Sequence, residues 1–237
     1  MLSIIIPTLN EEKYLPRLLE SIKRQNFSDY EIIVSDGGSD DSTEAVAKSF
    51  NTAFIVDSSV RHPSVQRNNG AKVSQGETLL FLDADTVLPE RFLPEAYEEF
   101  LEKDLAIAGF YIKFNPNRFH YNIYSFISNI ICGFKQYTKH PAAIGAGLMS
   151  KRSVHEVING FDLKVVLAED YDYCVRASRV GKFKILTAAK ILYSSRRIEK
   201  EGFLRAGWKW LRMGIFTMTN RTIKKQIIKY DFGKFKE

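Results

Sequence analysis

Through the first half of the chain, short β-branched and aliphatic runs alternate with stretches whose apolar positions recur at helical spacing. That alternation is the pattern of βαβ units stacked into a mainly parallel sheet. Strands are predicted over residues 3–7, 31–35, 52–56 and 78–82. Between the first pair, Leu15, Leu18, Leu19 and Ile22 line one helical face, and Pro16 is tolerated early in that helix. A further helix is predicted over 42–49, behind an acidic, serine-rich turn able to cap it, and another over 63–73. After Pro89 the pattern loosens. Helices are predicted over 91–101, 121–137 (rich in aromatics), 169–180 and 203–225, and strands over 105–114, 143–150, 182–187 and 190–194.

The order of these elements carries a functional expectation. Right-handed crossovers place the C-terminal ends of parallel strands on one side of the sheet, and ligands of such sheets bind in the crevice outside those ends. Predicted strands here run into polar clusters: Thr8-Leu9-Asn10-Glu11, Asp36-Gly37-Gly38-Ser39-Asp40-Asp41 and Asp83-Ala84-Asp85-Thr86. A parallel sheet would bring all of them to a single crevice.

Composition narrows the class. With 237 residues, 45% hydrophobic and 13% aromatic, the chain can bury a full core as one large domain with an appendage. The division expected is a main domain over residues 1–197 and a basic amphipathic helical extension over 198–237. Cys132 and Cys174 stand far apart, without CxxC or CxxH spacing, so neither a disulfide framework nor a zinc site is expected. The start, Met1-Leu2-Ser3, leads straight into a strand without the features of a secretion signal, so a cytoplasmic location is expected. The longest apolar candidate, residues 123–134, is too short and too polar to span a bilayer. The net charge of +6 arises mainly after residue 196, where Lys and Arg alternate with Phe203, Trp208, Trp210, Ile215 and Phe216.

Candidate chemistry lies in two acidic groups. Asp83 and Asp85, on a turn behind a buried strand, can grip a hard divalent cation while leaving its other positions to diphosphate oxygens and water; the alternative is a solvated turn. Glu169-Asp170-Tyr171-Asp172 heads a predicted helix, and Asp170 is the candidate to accept a proton from a hydroxyl. The alternative there is acids favoured by the helix dipole. Gly37 and Gly38 permit close backbone approach beside Asp36, and Arg67 is either a ligand contact or a surface arginine. Gly145-Ala146-Gly147 lacks the third glycine of a dinucleotide fingerprint and is read as close packing. The sequence contains no P-loop pattern, and His62, His120, His140 and His155 show no metal-ligand spacing.

The motifs occur together and in order, and here the chain resembles family 2 glycosyltransferases of the GT-A fold. The resemblance rests on Ile4-Ile5-Ile6-Pro7-Thr8-Leu9-Asn10-Glu11, Val34-Ser35-Asp36-Gly37-Gly38-Ser39-Asp40-Asp41-Ser42-Thr43, Arg67-Asn68-Asn69-Gly70, Phe81-Leu82-Asp83-Ala84-Asp85-Thr86, Gly160-Phe161-Asp162 and Glu169-Asp170. It implies a Rossmann-like α/β domain, mainly parallel and flanked by helices. It further implies inverting transfer of a sugar from a nucleotide diphosphate sugar, UDP- or GDP-linked, to an acceptor hydroxyl, with Mn2+ or Mg2+. Pro7, Thr8 and Glu11 would line the nucleotide crevice, with Asp36 near the base and Arg67 near base or diphosphate. Asp83 would face ribose and metal-bound diphosphate, Asp85 would be the direct metal ligand, and Asp170 the base. Arg196 and Arg197 follow the last predicted strand, where paired guanidiniums suit phosphate oxygens; the alternative is a solvated charge pair. The Gln-x-x-Arg-Trp element of many processive relatives is missing, which implies one sugar added per encounter.

Rival readings are a noncatalytic nucleotide-sugar binding module, which has no need of Asp170, and a sugar nucleotidyltransferase, which usually opens with a glycine-rich basic loop where this chain has Pro7-Thr8-Leu9-Asn10-Glu11. No RNA-binding motif accompanies the basic tail, so nucleic acid is not an expected partner. Residues 121–137 and 203–229 mix aromatics with basic residues. They suit shallow docking on an anionic membrane, at the inner face of the cell membrane and near a lipid-linked or polysaccharide acceptor, or else packing on the domain or on a second subunit.

Overall fold

The computed structural model describes residues 1–202, 205, 207 and 208. The apolar runs become β1 (Leu2–Thr8), β2 (Tyr30–Asp36), β3 (Ala53–Val56) and β4 (Thr78–Leu82), separated by α1 (Leu15–Lys23), α2 (Thr43–Ser49) and α3 (Pro63–Val73). There follow β5 (Thr86–Val87), α4 (Phe92–Glu102), β6 (Ile107–Asn115), α5 (Phe119–Lys135), β7 (Gly147–Lys151), α6 (Arg152–Val157), α7 (Glu169–Ala177), β8 (Phe183–Ser194) and α8 (Arg196–Glu201). The strands form one sheet in the order β3-β2-β1-β4-β7-β6-β8-β5. Pairing is parallel for β1 with β2 and β4, for β2 with β3 and for β6 with β8, and antiparallel for β4 with β7, β6 with β7 and β5 with β8. Among the described strands, only β7 and β5 therefore run against the rest. The C-terminal ends of β1, β2, β4 and β8 emerge on the same side, which is what gathers the polar clusters.

Both faces of the central strands are covered, so β1 and β4 read as unbroken apolar runs rather than alternating ones. Ile4, Ile6, Leu80 and Leu82 pack with Leu15, Leu18, Leu19 and Ile22 of α1, the face predicted from their spacing. Ile5, Ile33, Leu79 and Phe81 pack on the opposite face with Ala71, Phe161 and Tyr173.

α3 sits so close to β1 that a methyl group at Gly70 would run into Cγ2 of Ile5. In an open helix Gly→Ala gains about 1 kcal/mol of propensity, whereas overpacking a core costs about 1–3 kcal/mol. Gly70→Ala is accordingly expected to lose roughly 1 kcal/mol in urea denaturation; a gain would mean that α3 can lift from the sheet freely.

The strands predicted over 182–187 and 190–194 are a single strand, β8, with a register shift opposite Phe110 and Tyr111. The irregularity is held by Glu99 of α4. Its carboxylate accepts from the amides of Thr187 and Ala188, each at 2.9 Å, and from the Thr187 hydroxyl at 3.1 Å. The strand predicted from 143 begins only at Gly147, and the helix predicted to 180 ends at Ala177. Three short elements, β5, α6 and α8, carry too few residues for a periodicity to be read. α8 crosses residue 197, where the main domain is expected to end. The helix predicted over 203–225 lies outside the described residues except for 205, 207 and 208, which are helical.

Candidate active site

At the shared end of the sheet, one cleft is lined by Pro7, Thr8, Glu11, Arg67, Asp83, Asp85, Arg196 and Arg197. Every one of these was expected at a ligand from the sequence. Asp83 and Asp85 leave β4 on a tight turn in which the Thr86 amide and hydroxyl both donate to the Asp83 carbonyl, at 3.1 and 2.8 Å. The cavity measures about 120 Å3, small beside the ~300–1000 Å3 of typical small-molecule sites.

Part of that space is crossed by Arg196. Its terminal nitrogens donate to both oxygens of Glu11 at 2.8 Å each, and its Nε to Asp85 Oδ2 at 2.8 Å. The guanidinium also lies over the Tyr14 ring, 4.5 Å from its centroid. Burial pushes the Glu11 carboxyl up to about 7 even with Arg196 against it. Arg197 lines the same cleft.

Arg67, from α3, ties the two acidic groups together. It is 2% exposed and donates to Asp83 Oδ1 at 2.7 Å and to Glu169 Oε1 at 2.9 Å, while its guanidinium faces the Phe161 ring at 5.2 Å. The pairs thus cross from the end of β4 to the first turn of α7. Burial works against the charge of Glu169, but Arg67 holds it below the ordinary carboxylate range. Its neighbour Asp170 behaves oppositely: burial, reinforced by the Glu169 charge, raises it to about 7. Adjacent carboxylates pushed apart in this way are the arrangement by which an active site separates a fixed charge from a proton acceptor.

Asp170 itself, expected as the base, is not among the residues lining the cleft; it follows Glu169, which is, and feels the charges of Arg67 and Asp83. Its Oδ1 accepts from the Tyr171 amide at 2.8 Å, and a Cβ at Gly145 would lie 3.0 Å from its Oδ2. The glycines at 145 and 147 serve close packing, as read from the sequence. One further expected contact is placed differently. Asp36 is 2% exposed and is not among the residues lining the cleft. Its carboxylate accepts from the Thr8 hydroxyl (2.8 Å), the Gly38 and Ser39 amides (2.8 and 2.7 Å) and the Ser39 hydroxyl (2.6 Å). It braces the turn after β2, in which Gly38 has φ +84°.

Arg61, His62, Tyr193 and Tyr14 were not singled out from the sequence for this region. His62, which shows no metal-ligand spacing in the sequence, lines the cleft and caps α3, its Nδ1 accepting from the Ser64 amide at 3.2 Å. A signal existed: Arg61 and His62 close the largely polar stretch 57–62 that follows β3, the same relation that marked the other strands.

No three carboxylate, histidine or cysteine groups come close enough, among the described residues, to hold a metal alone. The donor set of Asp83 and Asp85 fits a hard cation that completes its coordination with ligand oxygens and water. Each carboxylate commits an oxygen to an arginine, and the four acids in these pairs (Glu11, Asp83, Asp85 and Glu169) outnumber the two arginines bonded to them.

Residues 3–158, from β1 through α6, match the family model described as Glycosyl transferase family 2. The chain belongs to that family. The match takes in Glu11, Asp36, Arg67, Asp83 and Asp85 and ends before Asp170 and Arg196, whose place in the site comes from the geometry. In sequence the chain is similar to the GalNAc(5)-diNAcBac-PP-undecaprenol beta-1,3-glucosyltransferase of Campylobacter jejuni, 37% identical over 93 residues, covering 37% of this chain and 30% of that one. In structure it is similar to mannosyltransferase PcManGT from Pyrobaculum calidifontis, solved in complex with GDP-Man and Mn2+. The TM-score is 0.67 at 19% identity, covering 80% of this chain and 56% of that one. Another neighbour is S. aureus TarS 1-349 in complex with UDP-GlcNAc, with a TM-score of 0.63 at 23% identity and coverage of 81% and 58%. These likenesses establish the GT-A fold for this family 2 chain. The matches span between 30% and 43% of the length of the curated relatives.

Proposed function

We propose that this family 2 chain transfers a sugar from a nucleotide diphosphate sugar to an acceptor hydroxyl with inversion, using Asp170 as base. The observation that supports it is the meeting of Asp83 and Asp85 with Glu169 around one cleft, joined through Arg67, with Asp170 next to Glu169 in the first turn of α7. The nucleotide would enter against Pro7, Thr8 and Glu11, with its diphosphate toward Asp83, Asp85, Arg196 and Arg197. Asp36 would act on it through the turn it braces. A neighbour of the same fold binds UDP-GlcNAc and another GDP-Man with Mn2+, so a UDP- or GDP-linked donor is the reading adopted.

Asp83 and Asp85 would hold Mn2+ or Mg2+ jointly with the diphosphate, and the cation, when bound, offsets the charge that gathers on the departing nucleoside diphosphate. A diphosphate would also offer Arg196 an alternative to Glu11 and Asp85, opening the cavity. On the far side of the sugar, Asp170 would accept the hydroxyl proton as the oxygen attacks the anomeric carbon.

Donor use is tested by thermal shift with UDP, GDP and dTDP sugars, with and without Mn2+. At a ligand concentration about 100 times Kd the stabilisation is about 2.7 kcal/mol, roughly 5–10 °C in Tm for a chain of this size. The shift is expected with one base and only with metal present. Asp85→Ala is expected to abolish it, whereas Asp170→Asn retains it. If none of the sugars moves Tm, the donor reading fails.

A further inference from the structure

We propose that the outer face of α5 docks this chain on an anionic lipid bilayer. Phe119, Ile123, Phe126, Ile127, Ile130 and Phe134 are all solvent-exposed, Phe119 at 83% and Phe134 at 74%. At 3.6 residues per turn these side chains fall within an arc of about 100°, along a helix roughly 25 Å long. An ordinary surface helix turns its apolar stripe to the core. α5 does the reverse. Its inward face is Tyr121, Ser125, Cys132 and Lys135, and its Asn129 side chain bonds the backbone of Ile112, accepting from N at 3.0 Å and donating to O at 2.8 Å. A continuous exposed apolar patch of this kind marks an interaction surface.

Charge decides the partner. Residues 105–155 contain no Asp or Glu, and their exposed cations are Lys113, Arg118 and Lys139. Exposed Arg118 stands at the start of the stripe, and exposed Lys139, Arg179 and Lys182 line a second cavity beyond its end. The chain then brings Gly207 against the Tyr124 hydroxyl of α5, and the charged residues of 203–237 are nine Lys and Arg against Asp231 and Glu237. Pairing the stripe with a second copy would set like charges side by side. An anionic bilayer instead receives the apolar arc between its headgroups and attracts the flanking cations.

The placement has a consequence that rests on the transfer reading above. The inner side of α5 abuts α7, with Lys135 Nζ 4.5 Å from the ring centre of Tyr171 beside Asp170. A docked α5 would hold Asp170 one helix from the bilayer, where a lipid-borne hydroxyl can reach it.

The test is co-sedimentation of the full chain, without donor, on phosphatidylcholine vesicles with or without about one-third phosphatidylglycerol. Binding is expected only to the anionic vesicles and should weaken with salt. Phe126→Glu/Ile130→Glu should weaken it by about tenfold or more, with Tm and the donor-induced thermal shift unchanged. Failure of the wild-type chain to bind anionic vesicles overturns the proposal, as does undiminished binding by the double variant. A fall in Tm of that variant, or its loss of a dimer measured by light scattering, would assign the stripe to the chain itself and also overturn it. Because vesicle binding is read without donor, its failure leaves the transfer reading standing, and the reverse holds too.

Discussion

Asp170→Asn should lower sugar transfer by about three orders of magnitude, within the usual range for losing a general base, while leaving donor binding intact. The substitution is nearly isosteric: an asparagine oxygen can still accept from the Tyr171 amide, and Gly145 leaves room beside it. What disappears is the capacity to take a proton. Burial, together with the charge on Glu169, raises the Asp170 carboxyl to about 7. A base must be deprotonated to act, so wild-type transfer should fall tenfold per pH unit below about 7 and level off above it. The variant's residual rate should lack that acidic limb. Initial rates across pH 5–9 with saturating donor check both points, and full transfer by Asp170→Asn would remove the residue from the base role.

Arg67→Met should destabilise the fold by about 3–5 kcal/mol, the cost of removing one partner from buried ion pairs. Arg67 is 2% exposed, and its loss would strand Asp83 and Glu169 on the cleft wall without their shared cation. By contrast, surface pairs such as Lys48–Glu44 are worth at most about 1 kcal/mol. Chemical denaturation measures the difference. Adding Asp83→Asn to Arg67→Met should recover part of the loss, because an amide is far less costly to leave unpaired than a carboxylate. Donor-induced stabilisation should vanish as well, since Asp83 loses its fixed position. A total loss below about 1 kcal/mol would mean that the pairs are solvated in practice.

Much of the site was legible along the chain because a parallel strand makes a strong local statement. A buried run such as Thr78–Leu82 announces its end by the first residues that cannot be buried, and in a parallel sheet those ends coincide. Asp83, Asp85, Thr8 and Glu11 could be grouped before any coordinates, as could the helix face of Leu15, Leu18, Leu19 and Ile22. His62 and Arg61 obeyed the same rule after β3 and could have been added. The turn around Asp36 was legible as a turn, but not the hydrogen bonds that draw its carboxylate away from the cleft.

What the sequence determined by itself was therefore the alternation of strand and helix, the side on which the acids gather and the family to which the chain belongs. Only the tertiary structure decided which acid pairs with which arginine. Arg67 reaches Glu169 across 102 positions of chain and Arg196 reaches Glu11 across 185. No periodicity connects such residues, and a guanidinium donates to any carboxylate within reach, so its partner is chosen by how the helices pack on the sheet. The same holds for the outward-facing apolar stripe of α5. Residue spacing defines that stripe, but which side of the helix meets β6 is settled by Asn129 and the packing around it.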